Sequence, residues 1–392
     1  MSEFGDEIRR LLVERGISLR EAARQSHFDA SYLSKVINGH KPGTAYLAGV
    51  LDEVLSAGGK LAALVDGARE QAGAVPDDRS PLSVLLPLSF LSEPGGRQAL
   101  TVDGAESVLA RLYRIDAELG GNELCAVVTG YLQDAARMFT QAPAHVSADR
   151  LHQVMGGLTQ MAGWLSIDAS RHGDASRYLS ATIYAAHEAG DLGLAGHTLG
   201  YMSLSALYRD RHGEALSLAE TAIGLTRAAS PATRAVVRTR AARALARDGA
   251  REACRRQLDL AEADFGDGTG HEPQWCRYVD RIELAAQRGT CFLDLKMPQA
   301  AIGPLTEAIS LIGSGAPGRV RDLAHYSTRI ALAHLRAGNL DEAVSVAGHA
   351  HALTGQVASA RVSERFSELV GALEDCGAAQ AREFAESVRA GG

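Results

Sequence analysis

The side chains best suited to do chemistry fall in two short stretches. In SYLSKVIN (31–38), Ser31, Ser34, Lys35 and Asn38 recur at i, i+3, i+4 and i+7. On a helix this spacing gathers two hydroxyls, an ammonium and a carboxamide into one stripe that can hydrogen-bond an extended polar partner. In RAVVRTRAARALAR (234–247), Arg234 and Arg238 share one stripe and Arg240, Arg243 and Arg247 another. Such a grouping reads either as a solvated face or as a clamp for an anion or a peptide carboxylate. Tyr201, Tyr208, Trp275, Tyr278 and Tyr326 are expected on the first helices of helical pairs, where they would line a concave wall or join the core. With Arg234 and Arg238 they make up the candidate ligand-binding set.

Other chemistries find little support. His349 and His351 point to different faces of a helix, and no carboxylate completes a metal set. The five cysteines (125, 254, 276, 291 and 376) are odd in number and never form a CxxC pair. They are expected as buried free thiols rather than a disulfide framework or a zinc site. The Gly-rich FGDGTGHE (265–272) follows a helix rather than a strand, so it reads as a loop. No Ser/His/Asp or Cys/His constellation has local support, so neither an enzyme nor a cofactor or metal is expected.

The bulk composition sets outer bounds. A chain of 392 residues, 46% hydrophobic, suits two or three domains, or a repeat array joined to a module. The formal charge of −7 supplies no global field for nucleic acid, so any such contact needs a local patch. The opening residues lack an apolar run, and PLSVLLPLSFL (81–91) is too short to span a bilayer. A cytoplasmic protein with no membrane partner is expected.

Nearly every segment has helical periodicity and alternating runs are absent, which predicts an all-α fold. Residues 1–72 read as five short helices. Phe4, Ile8, Leu11 and Leu12 line the first, which Gly16 stops. Ser18 caps a second helix with Leu19, Ala22 and Ala23 inside. After a turn, Asp29 caps a third, and Phe28 and Leu33 form a hydrophobic staple. Leu33, Val36 and Ile37 turn inward, and Asn38-Gly39 ends the helix. Two short helices crossing at Ala23, with a polar stripe on the second, make a helix-turn-helix.

A linker follows at 73–87, and 88–392 repeats. Ala175, Ala215, Cys254, Ala301 and Ala343 serve as anchors, with small or apolar residues four and seven positions on. A breaker or glycine precedes most of them. Their spacings of 40, 39, 47 and 42 residues suit helical hairpins that bury their faces on one another.

The stretch GISLREAARQSHFDASYLSKVINGHKP, with the preceding FGDEIRRLLVERG, resembles the XRE (lambda-repressor-like) DNA-binding family over residues 3–60. Three departures stand out. His27 stands where glycine is frequent, Leu19 where glutamine opens the second helix, and Leu12 and Ile37 where a buried Arg–Glu pair is common. The resemblance implies that the third helix enters the major groove of double-stranded DNA. Ala30, Ser31 and Lys35 would meet base edges, and Arg20, Asn38 and Lys41 would follow phosphates, with Tyr32 and Ser34 completing the DNA-binding set. It also implies a homodimer on a two-fold operator. Residues 1–60 hold eight basic and eight acidic side chains, so the module is not basic overall. A rival reading therefore keeps the module for protein contact alone.

AGNLDEAVSVAGHA (337–350) resembles a tetratricopeptide repeat, with Gly338 and Ala343 in place. Segments such as LARLYRIDAELGG (109–121) and MAGWLSIDASRHGD (161–174) resemble the helical domains of actinomycete-type regulators. Together these resemblances imply a transcription regulator acting on development or secondary metabolism. A peptide, small molecule or protein partner would control it through the tetratricopeptide-like α-solenoid. The alternative is a repeat-based interaction scaffold whose helix-turn-helix no longer binds DNA.

Overall fold

The chain divides into two units, residues 1–80 and 81–392. The computed structural model describes residues 3–26, 30–39, 45–61, 63–64, 102–119, 121–141, 147–266, 272–315 and 318–391. Among these there are eighteen α-helices and no strand. The linker expected at 73–87 lies outside the described residues.

The first unit contains α1 (Glu3–Arg15), α2 (Leu19–Ser26), α3 (Ala30–Ile37) and α4 (Ala45–Val54), and residues 60, 61, 63 and 64 are helical again. Phe4, Ile8 and Leu11 of α1 meet Ala23 of α2 and Leu33, Val36 and Ile37 of α3, with Leu47, Leu51, Leu55 and Leu61 behind them. Leu12 and Leu19, expected inside, are only half-buried. Gly16 and Gly39 are left-handed, at φ of 63° and 76°, and end α1 and α3 as their positions predict. The Ser18 hydroxyl accepts from the Glu21 amide at 3.1 Å and starts α2. The Asp29 cap and the Phe28–Leu33 staple fall outside the described residues. A Cβ on Gly5 would lie 2.2 Å from the Ile37 carbonyl oxygen, so α1 crosses the end of α3 backbone against backbone.

The second unit starts with α5 (Val102–Leu119) and α6 (Gly121–Gln141). Six helical hairpins follow: α7/α8 (Ala148–Asp168, His172–Glu188), α9/α10 (Leu192–Tyr208, His212–Leu225) and α11/α12 (Pro231–Arg247, Arg251–Gly266) are the first three. Then come α13/α14 (Arg281–Asp294, Pro298–Gly315), α15/α16 (Val320–Ala337, Leu340–Thr354) and α17/α18 (Ala360–Asp375, Ala379–Gly391). Each hairpin packs on the next, and first helices also meet first helices: α9 on α11, α11 on α13, and α15 on α17. The result is a tetratricopeptide-like superhelix.

Its rhythm is visible in the backbone. Ser170, Asp210, Gly249, Lys296 and Gly338 are all left-handed, with φ between 55° and 83°. Each stands five residues before an anchor, at the tip of a hairpin. The amide after each reaches back to close the preceding helix, as from Arg171 to the Ser166 carbonyl at 2.7 Å or Asn339 to the His334 carbonyl at 2.9 Å. The five anchors, and the residues four and seven positions on, are all buried in the hairpins. Side-chain caps mark first helices instead. Asp191, Ser230, Asp280 and Ser359 accept the amides of Leu194, Thr233, Glu283 and Val362.

The superhelix turns back on itself. Helix α17 meets α7, and α15 meets α5. Arg361 binds Asp168 from 193 residues away, and Arg321 binds Asp116 from 205 residues away.

The left-handed tips make a stability prediction. Gly338→Ala is expected to lower stability by about 1–2 kcal/mol, because a Cβ disfavours this conformation. Ser170→Gly, which relieves the same strain, is expected to lose none of it. Urea unfolding of both variants measures the contrast.

Candidate functional site

Two sites emerge, one in each unit. In the first, α3 turns Leu33, Val36 and Ile37 into the core, and this leaves Lys35 and Asn38 exposed and Ser34 and Ala30 half-buried. Arg20 is exposed at the start of α2. The side chains of Ser31 and Tyr32, and all of Lys41, lie outside the described residues. Asn38 is already engaged: its Nδ2 donates to Ser34 Oγ at 3.3 Å, and its Oδ1 accepts from Arg9 at 3.3 Å. Arg9 also donates to the Ile37 carbonyl at 2.7 Å. It closes the C-terminal end of α3 and complements that end's partial negative charge. Sequence reasoning passed over Arg9. Its position one turn after Gly5 was the available signal.

In the second unit the first helices enclose a polar interior. Asp168 accepts from Arg361 and Ser359, each at 3.0 Å. Asp116 accepts two bonds from Arg321, at 2.8 and 3.2 Å, and one from the Trp164 indole at 3.0 Å. The guanidinium groups of Arg321 and Arg361 lie over the Trp164 ring, 5.5 and 5.3 Å from its centroid. Burial pushes the Asp168 carboxyl up, but Arg321, Arg361 and the Ser359 hydroxyl hold it below its ordinary value.

Next to this clasp runs a chain of neutral groups. Tyr113 donates to Gln160 Oε1 at 2.9 Å, and Gln160 Nε2 donates to His197 Nδ1 at 2.7 Å. That sets the tautomer, so His197 Nε2 donates to the Tyr278 hydroxyl at 3.0 Å. Burial and the neighbouring Arg240 lower His197 to about 3. Arg240 reaches Glu283 at 3.0 Å, and Tyr326 donates to the same carboxylate at 3.2 Å. Arg243 donates to Asp294 at 3.1 Å and to Gln287 at 3.2 Å.

The seven ligand candidates do not form one set. Tyr201, Trp275 and Tyr278 surround His197, with ring centroids 4.6, 4.8 and 5.9 Å away, and Tyr326 joins them through Glu283. Tyr208 lies apart, under the Arg365 guanidinium at 5.2 Å. Burial raises its phenol, yet Arg361, Arg243, Arg365 and Arg240 together bring it below its usual value. Arg234 and Arg238 both pair with Asp264 on α12, beside a cavity of about 250 Å³. Trp275 and Tyr278 require a correction: they sit in a 3-10 turn (Gln274–Cys276) and just after it, not in a first helix. Pro273 and the side-chain cap at Asp280 divide that segment into turn and helix. The inner-facing arginines are instead Arg240 and Arg243, joined by Arg321, Arg329 and Arg361, which all lie in first helices. The cysteines need a correction too, since Cys376 is exposed in the turn after α17 while the other four are buried. Among the described residues no three His, Cys, Asp or Glu side chains converge as a metal ion needs, and no helix is long and apolar enough to cross a membrane.

No protein-family model matches the sequence, and no curated protein matches it. Similar solved structures include two of kinesin light chain-like, nearly identical TPR-like repeats from Podosopora anserina. They are 13% identical to this chain and cover 53% of it, spanning 97% and 96% of their own lengths at TM-scores of 0.35 and 0.34.

The interior makes two predictions. Asp168→Asn leaves Arg361 without its charge partner in a buried site, and a loss of about 3–5 kcal/mol is expected in urea unfolding. His197 gives a pH dependence. Its folded value is depressed, so below pH 6.5 the unfolded chain takes a proton that the folded chain refuses. Stability therefore falls as pH drops from 6.5 toward 3. Between pH 7.5 and 5 the loss from His197 is about 2 kcal/mol, and His197→Gln should shrink the measured difference by that amount.

Proposed function

We propose that the protein is a sequence-specific DNA-binding transcription regulator that reads DNA with α3 and is controlled through its helical repeats. The observation that carries this reading is the division of α3 into two faces. One face is spent on the core of the first unit, and the other leaves Lys35 in solvent with Arg20 of α2 also exposed. A helix of eight residues is too short to be stable alone, and α1, α2 and α4 supply its burial. Such a helix, held by Gly5 and Arg9 at its far end, suits presentation to a major groove. The Lys35 ammonium can donate to guanine O6 and N7, and Arg20 can contact a phosphate. One such unit offers little contact area, so we propose that two copies act together on a two-fold operator. Small residues on successive hairpins give the second unit a curved wall, which is suited to a peptide, small-molecule or protein effector.

The test is a gel shift of the full chain with genomic fragments, its own promoter included, followed by sequencing of the bound DNA. Failure of every fragment to shift at low salt would sink the DNA reading and leave the repeat-based scaffold. Lys35→Ala is expected to weaken specific binding by about 5- to 150-fold and to relax one base position, while unfolding stays unchanged because the side chain is exposed. An unaltered footprint and affinity would show that α3 is docked otherwise.

A further inference from the structure

We infer that the repeat unit binds a small polyanion, one carrying phosphate or several carboxylate groups, in the cavity bounded by α11, α13, α15 and α17. The cavity measures about 580 Å³, a volume that suits a small ligand. Five basic side chains line it: Arg247, Lys296, Arg329, Arg336 and Arg365. The two carboxylates on its wall, Asp294 and Glu368, are already occupied. Asp294 accepts from Arg243 at 3.1 Å and from Arg329 at 3.4 Å, and Glu368 pairs with Arg365 at 2.7 Å. Arg247 pairs with Asp210 at 2.6 Å. Counting Arg243 and Asp210, six basic groups stand against three carboxylates. Among the described residues, neither Lys296 nor Arg336 makes an ion pair.

Helix ends account for part of this charge. Arg247 and Arg336 sit in the last turns of α11 and α15, where a cation offsets the negative end of the helix. Arg329 and Arg365 sit well inside α15 and α17, and no helix terminus explains them. Arg329 is the decisive residue. It lines the cavity, its side chain is 9% exposed, and its buried Nε has no hydrogen-bond partner. A buried guanidinium with an unmade bond is costly unless an acceptor arrives. Burial, opposed by Asp294 but reinforced by Arg243 and Arg365, lowers the Arg329 guanidinium to about 10. A dianion or trianion in the cavity would meet the Arg329 guanidinium that lines it and offset the charge excess. Guanidinium groups favour phosphate and carboxylate because their paired N–H groups match paired oxygens. The inference does not rest on DNA binding, and it is read on the protein alone.

The experiment is calorimetric titration of the full chain with pyrophosphate and, separately, with citrate, against potassium chloride at equal ionic strength. Saturable binding of at least one polyanion is expected, and the two arms separate a phosphate-bearing ligand from a polycarboxylate. Because Lys296 and Arg336 are exposed, the double variant Lys296→Ala/Arg336→Ala should fold normally and bind about tenfold more weakly or worse. Arg329→Gln should abolish binding, and Arg177→Ala, on the exposed face of α8, should leave it unchanged. No binding of either polyanion beyond the chloride control would overturn the inference. So would binding that the double variant leaves intact.

Discussion

The second unit depends on a clasp between its early and late helices. Asp116 and Asp168 come from α5 and α7, and Arg321 and Arg361 from α15 and α17. Asp168, Arg321 and Arg361 are buried and Asp116 is half-buried, and Trp164 lies beneath both guanidinium groups. Taking four charges out of water is expensive, and their mutual attraction offsets that only when every lone pair and proton is matched. Here the indole, the Ser359 hydroxyl and the arginine forks satisfy the carboxylates, while the buried Arg321 Nε keeps no hydrogen-bond partner. Ser359 also caps α17, so closing the superhelix and starting its last hairpin share one hydroxyl.

Closure changes what a stack of hairpins can do. An open superhelix presents a long groove in which each hairpin touches only its neighbours. In this chain the inner faces of the first helices meet across the centre, and many of their polar groups pair with one another. Tyr113, Gln160, His197, Tyr278, Arg240, Glu283 and Tyr326 form one connected series there. These groups define the interior instead of waiting for a ligand. The surplus positive charge gathers beside it, where Lys296 and Arg336 stand without an ion pair next to the paired Arg329 and Arg365.

The first unit is governed by close approach rather than by charge. Gly5 lets the backbone of α1 meet the end of α3, and Arg9 then reaches the Ile37 carbonyl and the Asn38 side chain. Leu12 and Ile37 carry no charge, and Ile37 packs in the core. Arg9 ties the first helix to the end of the third by bonding to backbone, a link that does not need a charged partner at 37.

Local sequence determined the elements and their rhythm. Gly16, Ser18 and Gly39 set helix ends through preferences that each residue carries with it. The anchors from Ala175 to Ala343 are buried because small side chains at 3.6-residue periodicity allow paired helices to approach. Lys35 was legible because a stripe can be read within one helix. The interior was not. Whether Arg234 or Arg240 faces inward depends on which neighbour covers each stripe, and Asp264 claims the first one. Trp275 and Tyr278 come to His197 from a turn 81 residues further along the chain, in the case of Tyr278. The clasp joins residues 193 and 205 positions apart. No local pattern encodes such pairs, because the curvature that brings them together is the sum of small rotations over every hairpin between them. Only the tertiary structure could decide that the wall closes, and that its surplus charge collects around Arg329.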